Sequence, residues 1–211
     1  MTRARLQRLA LSASRAVRRA SARLARDERG NTLVEFALIS PVFFTLLIGT
    51  ANLGQLVYGK IVLNGAIEVA ARASSLEGGD TTAADNMVRK IVGPILPGAT
   101  YTITRSNYYD FADVSRAERF TDSNSDGVCD NNESYIDENN NGTWDADVAE
   151  TGQGGASDVV VYQVRVQYRP LFRVPFMPNQ WQQFTLNSKA VRKNQPFATQ
   201  TPYSTVTRTC T

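Results

Sequence analysis

The longest uninterrupted pattern in the chain is a run of 24 residues without a charge, from Phe36 to Gly59. As a helix, a run of this length measures about 36 Å, more than the roughly 30 Å of a bilayer core. Its most apolar part, Phe36 to Ile48, is shorter than a typical span, so a buried core helix is the alternative. The pattern favours a transmembrane helix, placed over residues 31–58, and the flanking charges described below favour it further.

Beyond Tyr58 the pattern stays helical but becomes amphipathic. Apolar residues recur at helical spacing, and charged or amide residues occupy the positions between them. The apolar set is Leu56, Leu63, Ile67 and Ala70. This pattern predicts that the helix continues to Ser75 and packs its apolar face against a sheet. The Gly78-Gly79 pair is expected to end it.

The remaining periodic segments predict a second helix and a small sheet. The helix is expected from Thr82 to Ile91. Alternation of apolar and polar residues predicts strands over 101–105, 160–168 and 184–190. A long N-terminal helix packed on a small antiparallel sheet is an α+β fold.

Charge is unevenly distributed along the 211 residues. Residues 1–29 contain nine arginines and two acids, whereas residues 108–150 contain 12 acids and two arginines. The net charge of +3 therefore does not indicate a nucleic-acid partner. Taken alone, the basic segment fits a mitochondrial transit peptide, an amphipathic helix on anionic lipid, or the cytoplasmic flank of a membrane span. The apolar run that follows favours the cytoplasmic flank.

Glu35 stands at the edge of the apolar run, where an unpaired carboxylate is costly to bury. A partner becomes available if the chain is cut just upstream, because the new α-amino group carries a positive charge. The sequence Arg29-Gly30-Asn31 offers such a cut, and Glu35 is then the fifth residue of the product. The alternative interpretation of Gly30 is a simple break between an amphipathic helix and the spanning helix.

This arrangement resembles the type IV prepilin pattern: a basic leader ending in glycine, a glutamate at the fifth mature position and an apolar helix. The sequence GNTLVEFALISPVFFTLLIG is similar to TadE-like minor pseudopilins of tight-adherence (Flp) pilus systems. The resemblance extends from Arg26 to about Ser75. It continues weakly at Ala190–Phe197, where Gln195 stands in place of the more usual acid.

The resemblance implies a pilin-like fold and a role in pilus assembly and adhesion. A prepilin peptidase would cut residues 1–30 from the chain, between Gly30 and Asn31, and other pilins, pseudopilins and pilus assembly proteins would be its partners. The chain would cross the bacterial cytoplasmic (inner) membrane once, with the N-terminus cytoplasmic and residues 59–211 forming a periplasmic or extracellular head. Pro41 would permit a bend in the spanning helix during assembly, although membrane helices also tolerate proline without such a role.

An acidic insertion at about 108–155 departs from the compact pattern of that family. Within it, DSNSDGVCDNNE matches a twelve-residue calcium loop. The predicted ligands at positions one, three, five, seven, nine and twelve are Asp122, Asn124, Asp126, the Val128 carbonyl, Asp130 and Glu133. Gly127 supplies the turn at position six. The alternative is a solvated Asp/Asn/Gly-rich loop without metal.

Fifteen residues later the pattern recurs as DENNNGTWD. The predicted ligands of this second loop are Asp137, Asn139, Asn141, Thr143 and Asp145. Position twelve is Val148, so the bidentate ligand is missing unless Asp147 or Glu150 reaches in. The tandem resembles dockerin-type or thrombospondin-type calcium repeats, and Ca²⁺ is the expected cofactor.

The chain has two cysteines, Cys129 in the first acidic loop and Cys210 near the end of the sequence. Outside the cytoplasm they form either a disulfide between the insertion and the tail or two separate thiols, because sequence gives no distance. The chain has no histidine, no nucleophile-elbow serine motif and no phosphate-binding loop, so an enzyme is disfavoured. The alternative to a processed pseudopilin is an uncleaved single-pass anchor that presents a calcium-dependent adhesive or receptor head.

Overall fold

The computed structural model describes residues 31–130, 132–174, 178 and 182–210. The helices are α1 (Asn31–Ser74) and α2 (Thr81–Val92), and a 3-10 turn spans Phe111–Asp113. The strands are β1 (Thr100–Tyr108), β2 (Ser134–Asp137), β3 (Glu150–Thr151), β4 (Val159–Tyr168), β5 (Phe184–Lys193) and β6 (Val206–Thr209).

The predicted α+β fold is confirmed. Helix α1 ends at Ser74, one residue before the predicted end, and α2 extends the predicted helix by one residue at each end. The three predicted strands are present as β1, β4 and β5, of which β1 and β5 run three residues further than predicted. Strands β2, β3 and β6 were not predicted.

Two separate sheets lie in the head. Strands β3, β1, β4 and β5 form an antiparallel sheet in that order, and β2 and β6 form a two-stranded antiparallel sheet. The central pairing of the larger sheet runs from Thr100 opposite Gln167 to Tyr108 opposite Val159. The smaller sheet joins the acidic insertion to the C-terminal tail.

The chain divides into two compact units, Met1–Gly49 and Thr50–Thr211. Within the first, the described part of α1 exposes its apolar side chains on all sides. The segment Thr32–Ser74 is apolar and long enough to cross a membrane by length and composition. This segment is compatible with a single-pass membrane protein.

Within the second unit, the later part of α1 packs on the larger sheet. Leu63 and Ile67 are fully buried together with Val88 of α2 and Val164 of β4. Asp80 caps α2 by accepting hydrogen bonds from the backbone amides at its start. Helix and sheet therefore share one core, from which the acidic insertion projects between β1 and β4.

Candidate functional site

The membrane-side candidates lie on the first half of α1. Glu35 is exposed, and Pro41 lies inside the helix. Because proline has no amide hydrogen, the Ala37 carbonyl loses its helical donor. The Ser40 hydroxyl donates to that carbonyl at 3.3 Å, and the Thr45 hydroxyl donates to the Pro41 carbonyl at 2.7 Å. Side chains of the same helix thus satisfy the backbone around the proline.

The leader predictions concern a part of the chain that the structure does not describe. Gly30 lies outside the described residues, and Asn31 is the first residue of α1. The cleavage position between them remains a prediction.

The described residues of the first acidic loop, 122–130, 132 and 133, fold tightly around the acidic side chains. The two carboxylate oxygens of Asp122 accept from the backbone amides of Asp126 (3.2 Å) and Gly127 (3.0 Å). Asn124 Oδ1 also accepts from the Asp126 amide, and Asp126 Oδ1 accepts from the Val128 amide. Gly127 has φ of +79°, a conformation that favours glycine. The predicted ligands at positions one, three and five therefore converge on one turn.

The second loop, residues 137–148, repeats these bonds position by position. Asp137 accepts from the amides of Asn141 (3.0 Å) and Gly142 (2.9 Å). Asn139 Oδ1 accepts from the Asn141 amide, and Asn141 Oδ1 accepts from the Thr143 amide. Gly142 has φ of +86°. The two sequence copies are therefore also two copies of one local structure.

Glu133, at position twelve, contacts both the start and the later part of the first loop. Its backbone amide donates to the Asp130 carbonyl at 2.8 Å. Its buried carboxylate accepts from the Ser123 amide at 2.6 Å and from the Asp130 amide at 3.5 Å. The predicted ligands at positions nine and twelve thus lie against each other, beside the start of the loop.

The corresponding positions of the second loop are arranged differently. Asp145 accepts from the side-chain amide of Asn139 at 2.9 Å. Val148, at position twelve, is fully buried in an apolar cluster. Asp147 accepts from the Tyr108 hydroxyl at 3.1 Å, and Glu150 lies in β3. Asp147 is therefore engaged away from this loop, and Glu150 lies outside it in an exposed position of β3.

A carboxylate that sequence analysis did not select reaches the second loop instead. Glu118 is 1% exposed, and its Oε1 accepts from the backbone amides of Glu138 (2.7 Å) and Asn139 (3.3 Å). Its Oε2 accepts from the Asp145 amide at 3.2 Å. Burial raises the pKa of Glu118, and these amide hydrogen bonds oppose the rise. The sequence signal that identifies Glu118 is its position, fifteen residues before Glu133.

Two arginines surround the neighbouring carboxylate, Glu138. Arg116 and Arg119 donate to it at 2.6 Å and 2.9 Å, and Arg116 also pairs with Asp113. Burial by itself would raise the pKa of Glu138, but the hydrogen bonds from the two arginines outweigh it and lower the pKa. The two arginines of the insertion thus neutralise part of its acidic charge.

The C-terminal tail closes the pair of loops. Strand β6 pairs with β2, which connects the first loop to the second. Cys210 forms a disulfide with Cys129, with the two Cα atoms 5.6 Å apart, and its amide donates to the Glu133 carbonyl. Arg208 pairs with the fully buried carboxylate of Asp137. The tail therefore contacts both loops.

Within the described ranges, no three or more Cys, Asp and Glu side chains form a group arranged for a metal ion. Five of the eleven predicted ligands are asparagine, threonine or backbone oxygens, which calcium also accepts. Calcium binding remains a prediction for both loops.

Comparison with known proteins gives one match. Residues 30–72 match the family model described as TadE-like protein. No significant match is found among curated proteins or among solved structures. The match covers most of α1 and supports a likeness to TadE-like pilins there. The sheet and the acidic insertion lie outside it.

Proposed function

We propose that the chain is a minor pseudopilin of a tight-adherence pilus system, inserted in the membrane by α1. The observation that carries this proposal is the TadE-like match over residues 30–72, which contains the apolar run and Glu35. A prepilin peptidase would cut after Gly30 and release a product that begins at Asn31. The product would take part in assembling the pilus and in adhesion, and no catalytic role is assigned to it.

Membrane orientation follows from charge. The nine arginines before the apolar run are retained on the cytoplasmic side, because cationic flanks are translocated poorly. Residues 31–58 would span the inner membrane, and residues 59–211 would lie on the periplasmic or extracellular side. That compartment is oxidising, which suits the disulfide between Cys129 and Cys210.

Glu35 would neutralise the new α-amino group when helices pack in the assembled pilus. A carboxylate at the edge of the apolar segment gains most from a cation in that low-dielectric setting. The Glu35→Ala variant should abolish pilus assembly and co-purification with pilin, whereas Glu77→Ala, an exposed acid beyond the end of α1, should leave both intact. Normal assembly by Glu35→Ala would show that this role is wrong.

The head would bind calcium through the two acidic loops. Support comes from the order of ligand types in both loops and from the convergence of positions one, three and five in each. Calcium would neutralise the repulsion among the acids of the insertion and make its surface rigid enough to contact a partner.

Calorimetric titration of the full-length protein in detergent tests this proposal. Calcium should give saturable heat with the wild type, and Asp126→Ala should weaken binding at one site. Glu77→Ala controls for the loss of one exposed acid. The absence of calcium-dependent heat from the wild type would exclude the binding function.

A further inference from the structure

The acidic insertion contains an internal repeat that includes more than the two loops. Residues 118–130 and 133–145 are two copies of one pattern. Each copy has glutamate first, an aromatic third, aspartate fifth, asparagine seventh, glycine tenth and aspartate thirteenth. Glu133, which ends the first loop, is therefore also the first residue of the second copy. Its counterpart in the first copy is Glu118.

The two copies pair antiparallel at their starts. Phe120 of the first copy bridges to Tyr135 of the second. The Thr121 amide donates to the Ser134 carbonyl, and the Ile136 amide donates to the Arg119 carbonyl, both at 2.8 Å. Antiparallel pairing of equivalent segments relates the copies by a local twofold arrangement. Each copy's first residue is thereby directed toward the other copy's loop.

Backbone hydrogen bonds follow this exchange. The Glu133 amide donates to the carbonyl of Asp130, the ninth residue of the first loop, at 2.8 Å. The Glu118 amide donates to the carbonyl of Asp145, the ninth residue of the second loop, at 2.9 Å. Each glutamate is thus fixed to the equivalent point of the loop formed by the other copy.

The carboxylates occupy equivalent places as well. Glu133 accepts from the amides of the second and ninth residues of the first loop, Ser123 and Asp130. Glu118 accepts from the amides of the second and ninth residues of the second loop, Glu138 and Asp145. Position twelve of the second loop is therefore filled in space by Glu118, although Val148 fills it in sequence.

Charge gives a reason to place a cation beside Glu118, although Arg208 already pairs with Asp137 at position one of the same loop. Glu118 is 1% exposed, and no lysine or arginine of the described residues lies within ion-pair distance of it. Glu138 is equally buried but pairs with two arginines. A carboxylate buried without a cation is costly, and hydrogen bonds from neutral amides compensate only part of that cost. A bound divalent ion supplies the missing charge.

We propose that Glu118 is the bidentate calcium ligand of the second loop, so that the two repeats exchange their closing glutamates. The proposal rests on the calcium binding proposed above. Under it, the second loop is a complete site with Asp137, Asn139, Asn141 and Asp145 as its other side-chain ligands. The full chain then binds two calcium ions instead of one.

Calcium titration of the full-length protein in detergent tests the exchange with matched variants. The wild type should bind two ions. Glu118→Gln and Glu133→Gln should each weaken one site by about 10- to 100-fold, a loss that even supporting residues of metal sites produce. Glu150→Gln, an exposed acid outside both loops, should bind two ions like the wild type.

Combined variants identify the loop whose calcium ion Glu118 binds. Adding Glu118→Gln to Asp137→Ala should cause no further loss, whereas adding it to Asp122→Ala should weaken the remaining site as strongly as the single variant does. If Glu118→Gln does not fold by circular dichroism, Glu118→Asp keeps the charge but withdraws the carboxylate by one methylene, and it should weaken the same site.

The outcomes separate this inference from the function on which it rests. Two wild-type sites that persist unchanged in folded Glu118→Gln or Glu118→Asp would overturn the exchange and leave calcium binding intact. A wild type that binds a single ion would also overturn it. A wild type that binds no calcium would refute both proposals.

Discussion

The two halves of α1 differ in what surrounds their apolar side chains. In the first half, Leu38 is 75% exposed and Leu47 is 54% exposed. In the second half, Leu63 and Ile67 are fully buried against α2 and the larger sheet. Sequence shows the same difference, because the first half carries no charge after Glu35 and is apolar on all sides, whereas the second half has a polar face.

This difference indicates that one helix is built for two environments. A helix that is apolar on every side is stable in lipid or in a protein core, whereas an amphipathic helix is stable at a core surface. The boundary between the two patterns lies near Tyr58 and Lys60, the first charge after the run. Variants in the first half of α1 should therefore affect membrane insertion alone. Variants in the second half should affect the stability of the head alone.

The largest expected effect on the head comes from its disulfide. Cys129 and Cys210 are separated by 81 residues, and cross-linking a segment of that length stabilises a fold by about 4 kcal/mol in the chain-entropy treatment. The double variant Cys129→Ser/Cys210→Ser should lose stability on this scale in urea unfolding and remain in the membrane fraction. Equal stability with and without the disulfide would contradict this prediction.

A core truncation in the second half of α1 should have a slightly smaller effect. Ile67→Ala removes three carbon atoms from a fully buried site and should cost about 3.5 kcal/mol of unfolding free energy. Ile39→Ala makes the same change at a site that is 65% exposed in the first half. The head of this control should unfold like the wild type. A comparable loss in both variants would remove the distinction between the halves.

A charge in the first half should affect membrane insertion instead. Leu47→Arg places a cation near the middle of the apolar run, where insertion costs about 3 kcal/mol more. The expected result is a shift of the protein out of the carbonate-resistant membrane fraction. Val69→Arg, at an exposed position of the second half, should remain membrane-bound. If carbonate extracts neither Leu47→Arg nor Val69→Arg, the membrane role of residues 31–58 is contradicted.

The smallest expected effect is on how steeply the stability of the head falls at alkaline pH. Burial, followed by the hydrogen bond to Asp85, raises the pKa of Tyr162 above its ordinary value of about 10. The protonated phenol is thus favoured by folding. Its contribution to stability is intact below pH 10 and is lost as pH rises toward the folded-state pKa. Tyr162→Phe should show a shallower loss of stability above pH 10 in chemical unfolding, and an unchanged slope would contradict the prediction.

Sequence periodicity was sufficient for the elements that carry the head's core. The alternation around Val164 and the helical spacing of Leu63 and Ile67 give nearly the observed boundaries, because each reflects burial on one face. Strands β2 and β6 were missed because they are four residues long and pair across about seventy residues of chain. Short strands with distant partners leave too little local pattern to detect.

The predicted ligands at positions one, three and five converge in each acidic loop, whereas calcium binding itself stays a prediction. Val148 stands at position twelve of the second loop, so the loop has no closing carboxylate of its own in sequence. Glu118 was missed because a search of one loop at a time looks only twelve residues ahead, whereas its contacts with Glu138 and Asp145 arise from pairing between the repeats. The pairing of Arg208 with Asp137 likewise depends on the path of the tail.

Mass spectrometry of the N-terminus of the protein from its native membrane tests the central claim most directly. A mature chain that begins at Asn31 is the predicted result, because it requires cleavage after Gly30 and places Glu35 at the fifth position. A chain that begins at Met1 or Thr2 would contradict processing and identify the protein as an uncleaved single-pass anchor.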